Sequence, residues 1–79
     1  MANVCVLGAG AFGTALALYS HELGHRVRVW AYDDGLPEQI AASQENAAYL
    51  PGFPIPDEIV FSNDMKATLD GAELVLLVV

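Results

Sequence analysis

Gly8, Gly10 and Gly13, standing directly behind the apolar run Val4-Cys5-Val6-Leu7, constrain this chain more than anything else in it. Four apolar residues ended by glycine read as a parallel strand buried on both faces. Over residues 11–23 the pattern changes to helical spacing, with Phe12, Leu16, Tyr19 and Leu23 recurring at intervals of three and four. Ala15 and Ala17 are small enough to let such a helix approach a sheet, and Gly24 is a stop signal with His21 in the last turn, where a partly cationic ring suits the helix dipole. Arg26-Val27-Arg28-Val29-Trp30 alternates polar and apolar residues and reads as a second strand.

The glycines therefore lie inside a β-α-β unit of about 30 residues, between a buried strand and an amphipathic helix. In that setting Gly8 permits the tight turn out of the strand, Gly10 lets a pyrophosphate come close to the backbone, and Gly13 lets the helix pack near the strand. Free N–H groups at the start of the helix would then face the phosphates. The bland alternative is that the three glycines merely make a strand-to-helix turn.

Beyond the second strand come turn residues at Asp33-Asp34-Gly35, then a helix expected over 37–47 with Pro37 in its first turn. Residues 49–57 hold Pro51, Gly52, Pro54 and Pro56 and are expected to form an extended loop. A third strand over 59–61, a short helix over 64–69 and a fourth strand over 73–79 complete the pattern. Strands alternating with helices point to a parallel sheet with right-handed crossovers. The fold class is α/β: the first half of a Rossmann-like doubly wound sheet, β-α-β-α-β-α-β, including the opening strand of the second half. Residues 1–79 are then the N-terminal part of one dinucleotide-binding domain. The apolar share of 54 % is high for 79 residues, and residues 74–79 form an apolar run that stops without a turn residue or polar flank after it. The chain is therefore expected to be the front portion of a longer protein, with the rest of the sheet and a substrate domain outside it.

Charge and composition narrow the partners. The net charge is −7, with only Arg26, Arg28 and Lys66 on the basic side, so no basic stripe exists to neutralise a nucleic-acid backbone. Cys5 reads as a small buried hydrophobe, and a single cysteine forms no disulfide or zinc set. His21 and His25 have no acid or cysteine at metal-ligand spacing and read as solvated residues around a helix end. With no basic, apolar leader and no apolar run near the ~20 residues that cross a bilayer, a cytoplasmic setting is the default.

The end of the second strand is where a carboxylate would hold the adenine-ribose hydroxyls of NAD and a basic residue the extra phosphate of NADP. Here the sequence is Trp30-Ala31-Tyr32-Asp33-Asp34. Counting from the strand end puts that position on Ala31, and counting about 20 residues from Gly13 puts it on Asp33. An ordinary turn before Gly35 accounts for both aspartates equally well. Phe12 is either a lid over a cofactor or a core residue, and periodicity favours the core.

Three pieces of the chain resemble the bacterial-type NAD(P)-dependent glycerol-3-phosphate dehydrogenases. They are Val6 through Ala17 around the glycine loop, Gly24-His25-Arg26-Val27 leading to Val29-Trp30, and Asn46 with Tyr49-Leu50-Pro51-Gly52; Asp70-Gly71-Ala72-Glu73-Leu74-Val75 is also similar to the family's approach to its fourth strand. The Asn-x-x-Tyr-Leu-Pro-Gly segment is the most specific piece. The resemblance implies an oxidoreductase that interconverts sn-glycerol 3-phosphate and dihydroxyacetone phosphate by hydride transfer with NAD or NADP. It implies that Gly8, Ala9, Gly10, Ala11, Phe12 and Gly13 meet the cofactor, that Tyr32 and Asp33 lie near the adenosine ribose, and that Tyr49 borders the cleft. Catalytic residues and substrate contacts would lie beyond Val79, where a homodimer contact would also have to form. Two departures stand out: Ala11 replaces a frequent serine, and Tyr32-Asp33 replaces a frequent basic or histidine residue. Without the resemblance the residues support only a dinucleotide-binding module. A nucleotide-sensing regulatory domain without catalysis, or a different NAD(P)-dependent dehydrogenase, would show the same loop.

Overall fold

A computed structural model describes residues 1–78 of the chain. Its elements are β1 (Asn3–Leu7), α1 (Ala11–Glu22), β2 (Arg26–Trp30), α2 (Leu36–Ser43), β3 (Val60–Ser62), α3 (Met65–Leu69) and β4 (Leu74–Leu77). All seven expected elements are present in the expected order. The last residue assigned to the fourth strand by sequence, Val79, lies outside the described residues.

The strands form one sheet in the order β3-β2-β1-β4, with every neighbouring pair parallel. Parallel neighbours need crossovers, and the three helices supply them. From β1 the chain crosses to β2 and outward to β3, then returns to place β4 on the other side of β1. The carboxyl end of β1 therefore lies where the strand order reverses, the position at which open α/β sheets form a ligand crevice.

Core residues follow from this layout. Val4, Cys5 and Val6 are consecutive and all buried, so β1 is covered on both faces. β2 buries Val27 and Val29 and leaves Arg26 and Arg28 outward. Ile55 and Ile59, flanking Pro56, complete the cluster with Leu36 and Ile40 of α2, so the proline-rich stretch supplies core as well as connection. On β4, Leu74, Val75 and Leu77 are exposed.

Two helices differ from expectation. α1 turns Gly13, Thr14, Ala17 and Ser20 inward, while Phe12, Tyr19 and Leu23 face out, and Phe12 is 68 % exposed. The core reading of Phe12 is thus overturned. The inward stripe stands one residue along from the apolar one, a rotation of about 100°. Its cause is backbone contact: a Cβ on Gly13 would be driven into the carbonyl oxygen of Gly8. A helix seated that closely admits only small side chains on the seated face, so the large ones go outward. The helix ends as its sequence predicts, with Gly24 at φ +93°. The Gly24 N–H donates to the His21 carbonyl at 2.9 Å and that of His25 to the Ser20 carbonyl at 3.2 Å, the paired bonds of a Schellman motif.

α2 stops at Ser43 instead of residue 47. Gln44 adopts the left-handed conformation at φ 56°, and its carbonyl turns away to accept the Ile55 N–H at 2.8 Å. The chain is thereby released toward an isolated antiparallel bridge between Asn46 and Leu50.

Candidate dinucleotide site

The glycine loop leaves β1 with the Gly8 N–H donating to the Trp30 carbonyl at 3.0 Å. Gly8 has φ +131°, and a Cβ there would overlap the carbonyl oxygen of Val78, just past β4. Gly13 is required by the close seating of α1. Gly10 differs from both: its φ of −71° suits any residue, and a Cβ would meet nothing within 4 Å among the described residues. The protein's own packing explains two of the three glycines and leaves the third open to an outside group.

Gly10 is also the N-cap of α1, a 12-residue helix with no side-chain cap and no acid in its first turn. Orphan N–H groups at such an end, reinforced by the helix dipole, suit an anion. A dinucleotide's pyrophosphate fits this arrangement: a side chain-free approach at Gly10, donors at the helix start, and a position at the sheet's switch point.

Behind the loop lies a polar cluster. Asn46, 0 % exposed, donates from Nδ2 to the Ala9 carbonyl at 2.9 Å and to Thr14 Oγ1 at 2.9 Å. Thr14 Oγ1, also fully buried, donates in turn to the Ala9 carbonyl at 3.3 Å. Asn46 Oδ1 accepts the Tyr49 N–H at 3.2 Å. A buried amide left unpaired is costly, and this one is paired on both its oxygen and its nitrogen.

At the end of β2, Ala31 is fully buried and offers no polar atom, so the strand-end count leads nowhere. Asp33 does mark a turn, its carbonyl accepting the Leu36 N–H at 3.3 Å. Its carboxylate, however, makes no side-chain cap to α2 and instead accepts the Tyr49 hydroxyl. That contact, first through hydrogen bonding and then through the negative charge of Asp33, pushes the Tyr49 phenol above its ordinary pKa. Tyr32, 82 % exposed, stands edge-on to Trp30 with ring centroids 6.1 Å apart. Asn63, which sequence reasoning passed over, braces this corner from just past β3: its Nδ2 donates to the Ala31 and Asp33 carbonyls at 2.8 and 2.9 Å, and its carbonyl accepts Trp30 Nε1 at 2.9 Å.

Tyr49 therefore joins two groups of expected site residues, reaching Asp33 with its hydroxyl and Asn46 with its backbone, while Asn46 holds the loop at Ala9. Ala11 and Phe12 are exposed on the first turn of α1. Arg28 stands apart: its Nη1 donates to the Ala67 and Asp70 carbonyls at 3.0 and 2.8 Å, at the end of α3, which leaves its charge engaged away from Asp33. Elsewhere, His25 Nδ1 accepts the Ala2 N–H at 3.0 Å, a structural use in place of the solvated one expected. Cys5 is buried and unpaired, and burial raises its thiol pKa, offset in part by Arg28. Among the described residues no group of three or more His, Cys, Asp or Glu is placed to hold a metal, and no helix is long and apolar enough to cross a membrane.

A parallel sheet with a glycine loop at its switch point and an uncapped helix start behind it defines a Rossmann-type dinucleotide-binding half. The profile of the family described as NAD-dependent glycerol-3-phosphate dehydrogenase N-terminus matches residues 3–79, and the chain belongs to that family. Glycerol-3-phosphate dehydrogenase [NAD(P)+] of Chelativorans sp. is 46 % identical over 74 residues, covering 94 % of this chain and 23 % of its own. The same-named protein of Geobacillus thermodenitrificans is 44 % identical over 79 residues, covering all of this chain and 23 % of its own. Among solved structures, the 2.1 Å crystal structure of glycerol-3-phosphate dehydrogenase from Coxiella burnetii superposes with a TM-score of 0.90 at 38 % identity, over 99 % of this chain and 24 % of that one. The chain spans about a quarter of the length of these relatives.

Proposed function

We propose that residues 1–79 form the N-terminal part of the dinucleotide-binding domain of an NAD(P)-dependent glycerol-3-phosphate dehydrogenase, interconverting sn-glycerol 3-phosphate and dihydroxyacetone phosphate. The observation that carries the cofactor reading is Gly10: among the described residues neither packing nor its dihedral requires glycine there, yet it sits at the mouth of a helix start with no side-chain cap. In this reading Gly8, Ala9, Gly10, Ala11 and Gly13 shape the pyrophosphate seat, and Phe12, outward-facing on the first turn, covers one side of the cofactor. Tyr32 and Asp33 border the adenosine ribose, and Tyr49 orients the Asp33 carboxylate. When bound, the nicotinamide ring supplies the site that accepts or gives the hydride. The groups that orient the substrate and move its hydroxyl proton belong to regions that correspond to the remaining length of the relatives. A cytoplasmic protein that takes no nucleic-acid partner, and that forms a homodimer through those regions, fits the same reading.

Full-length protein should bind NAD or NADP and reduce it only when glycerol 3-phosphate is supplied. Dinucleotide binding without turnover on glycerol 3-phosphate would favour the sensor or a different dehydrogenase. Absence of dinucleotide binding would remove the cofactor reading altogether.

A further inference from the structure

We propose that Asn46 is a positioning residue for the phosphate-facing peptide between Ala9 and Gly10, an inference that rests on the dinucleotide reading of the loop. No peptide bond among the described residues is cis, so the Ala9 carbonyl and the Gly10 N–H point in opposite directions. The Ala9 carbonyl is held inward by two donors, Asn46 Nδ2 at 2.9 Å and Thr14 Oγ1 at 3.3 Å, both from side chains with no exposed surface. The Gly10 N–H is therefore turned outward, away from the Asn46–Thr14 pair, at a residue where an added Cβ would meet nothing within 4 Å among the described residues. One inward-facing amide thus aims one outward-facing donor.

The arrangement closes on itself. Asn46 spends its second N–H on Thr14 Oγ1, which leaves the Thr14 hydroxyl hydrogen free to reach the Ala9 carbonyl. Rotation of the Ala9–Gly10 peptide would break both bonds to the Ala9 carbonyl and leave buried donors unpaired, which is a strong bias toward the phosphate-ready orientation. Thr14 lies on the first turns of α1 and Asn46 arrives from 32 residues away, so the segment after α2 controls a donor it does not itself contain.

The test uses full-length protein and three probes: NAD, ADP and adenosine, the last lacking any phosphate. Asn46→Asp, nearly the same size but without the Nδ2 donors, should weaken NAD and ADP roughly 10-fold, the scale of one mispositioned hydrogen bond, and leave adenosine within about twofold. Thr14→Val should show the same split, and Thr14→Ser, which restores the hydroxyl, should recover ADP affinity. If Asn46→Asp does not fold, the Thr14 pair decides. Equal losses for ADP and adenosine, or none for either, would overturn the positioning role while leaving the dinucleotide reading intact. Wild-type protein that binds neither NAD nor ADP would overturn both.

Discussion

The Tyr49 hydroxyl donates to the Asp33 carboxylate, linking residues 16 apart in sequence across the corner where β2 turns toward α2. The same bond leaves one carboxylate oxygen of Asp33 uncommitted and fixes the orientation of the group. On the proposed dinucleotide reading, an oriented carboxylate at this place suits a pair of ribose hydroxyls and opposes a ribose phosphate.

NAD should therefore be preferred to NADP. Two like charges about 5 Å apart repel by about 1 kcal/mol in water and about 3 kcal/mol at an effective dielectric near 20, which corresponds to roughly 5- to 150-fold in kcat/KM. Arg28 does not offset this charge, because its guanidinium is engaged by the carbonyls that close α3. Asp33→Asn should narrow the ratio. Side-by-side kcat/KM values for the two cofactors check it, and a strong NADP preference in the wild type would contradict the charge assignment.

Tyr49 should give the protein an alkaline dependence. Its phenol pKa is raised in the folded state by the bond to Asp33 and by that residue's charge, so folding favours the protonated form. The resulting stabilisation is complete below the unfolded tyrosine value of about 10 and is lost as pH climbs through the higher folded value. Tyr49→Phe should abolish this component and so lower neutral-pH stability, by a small amount because the pair is open to solvent. Denaturation midpoints of wild type and variant between pH 9 and pH 11 (about the range spanning that value) should converge as pH rises.

The three loop glycines should separate cleanly on substitution. Gly10→Val has room within the chain and an ordinary backbone dihedral, so its effect on stability should stay within about 1 kcal/mol, while dinucleotide affinity falls at least roughly 10-fold. Gly13→Ala meets the Gly8 carbonyl and should cost about 1–3 kcal/mol of stability whether or not ligand is present. Thermal unfolding with and without NAD distinguishes the two patterns. A Gly10→Val protein with unchanged NAD affinity would remove Gly10 from the site.

How much could be read in advance depended on how local the cause was. The strand-to-helix turn at the glycines and the helix stop at Gly24 leave their mark in adjacent residues, and both were visible in the sequence. The outward placement of Phe12 was not, because the rotation of α1 is decided by Gly13 meeting Gly8, a backbone contact that side-chain periodicity does not register. The early end of α2 depends on Gln44 handing its carbonyl to Ile55. The role of Asn46 was hidden most completely. Asn46 stood in the sequence as the first residue of Asn-x-x-Tyr-Leu-Pro-Gly and at the end of a helix expected over 37–47, but its partners, Ala9 and Thr14, lie 37 and 32 residues away.

The contact between Gly8 and Val78 sets an order of events during synthesis. The glycine loop leaves the ribosome well before β4, yet one of its walls is the backbone just past β4, 70 residues later in the chain. β1 can pair with β2 as soon as both have emerged, but the loop acquires its neighbour at Val78 only when β4 docks on the other side of β1. Closing so long a segment is slow relative to forming the local β-α-β unit. A nascent chain should thus hold a formed helix and strand pair before it holds a finished nucleotide seat, which withholds ligand capture until the sheet has been built across its switch point.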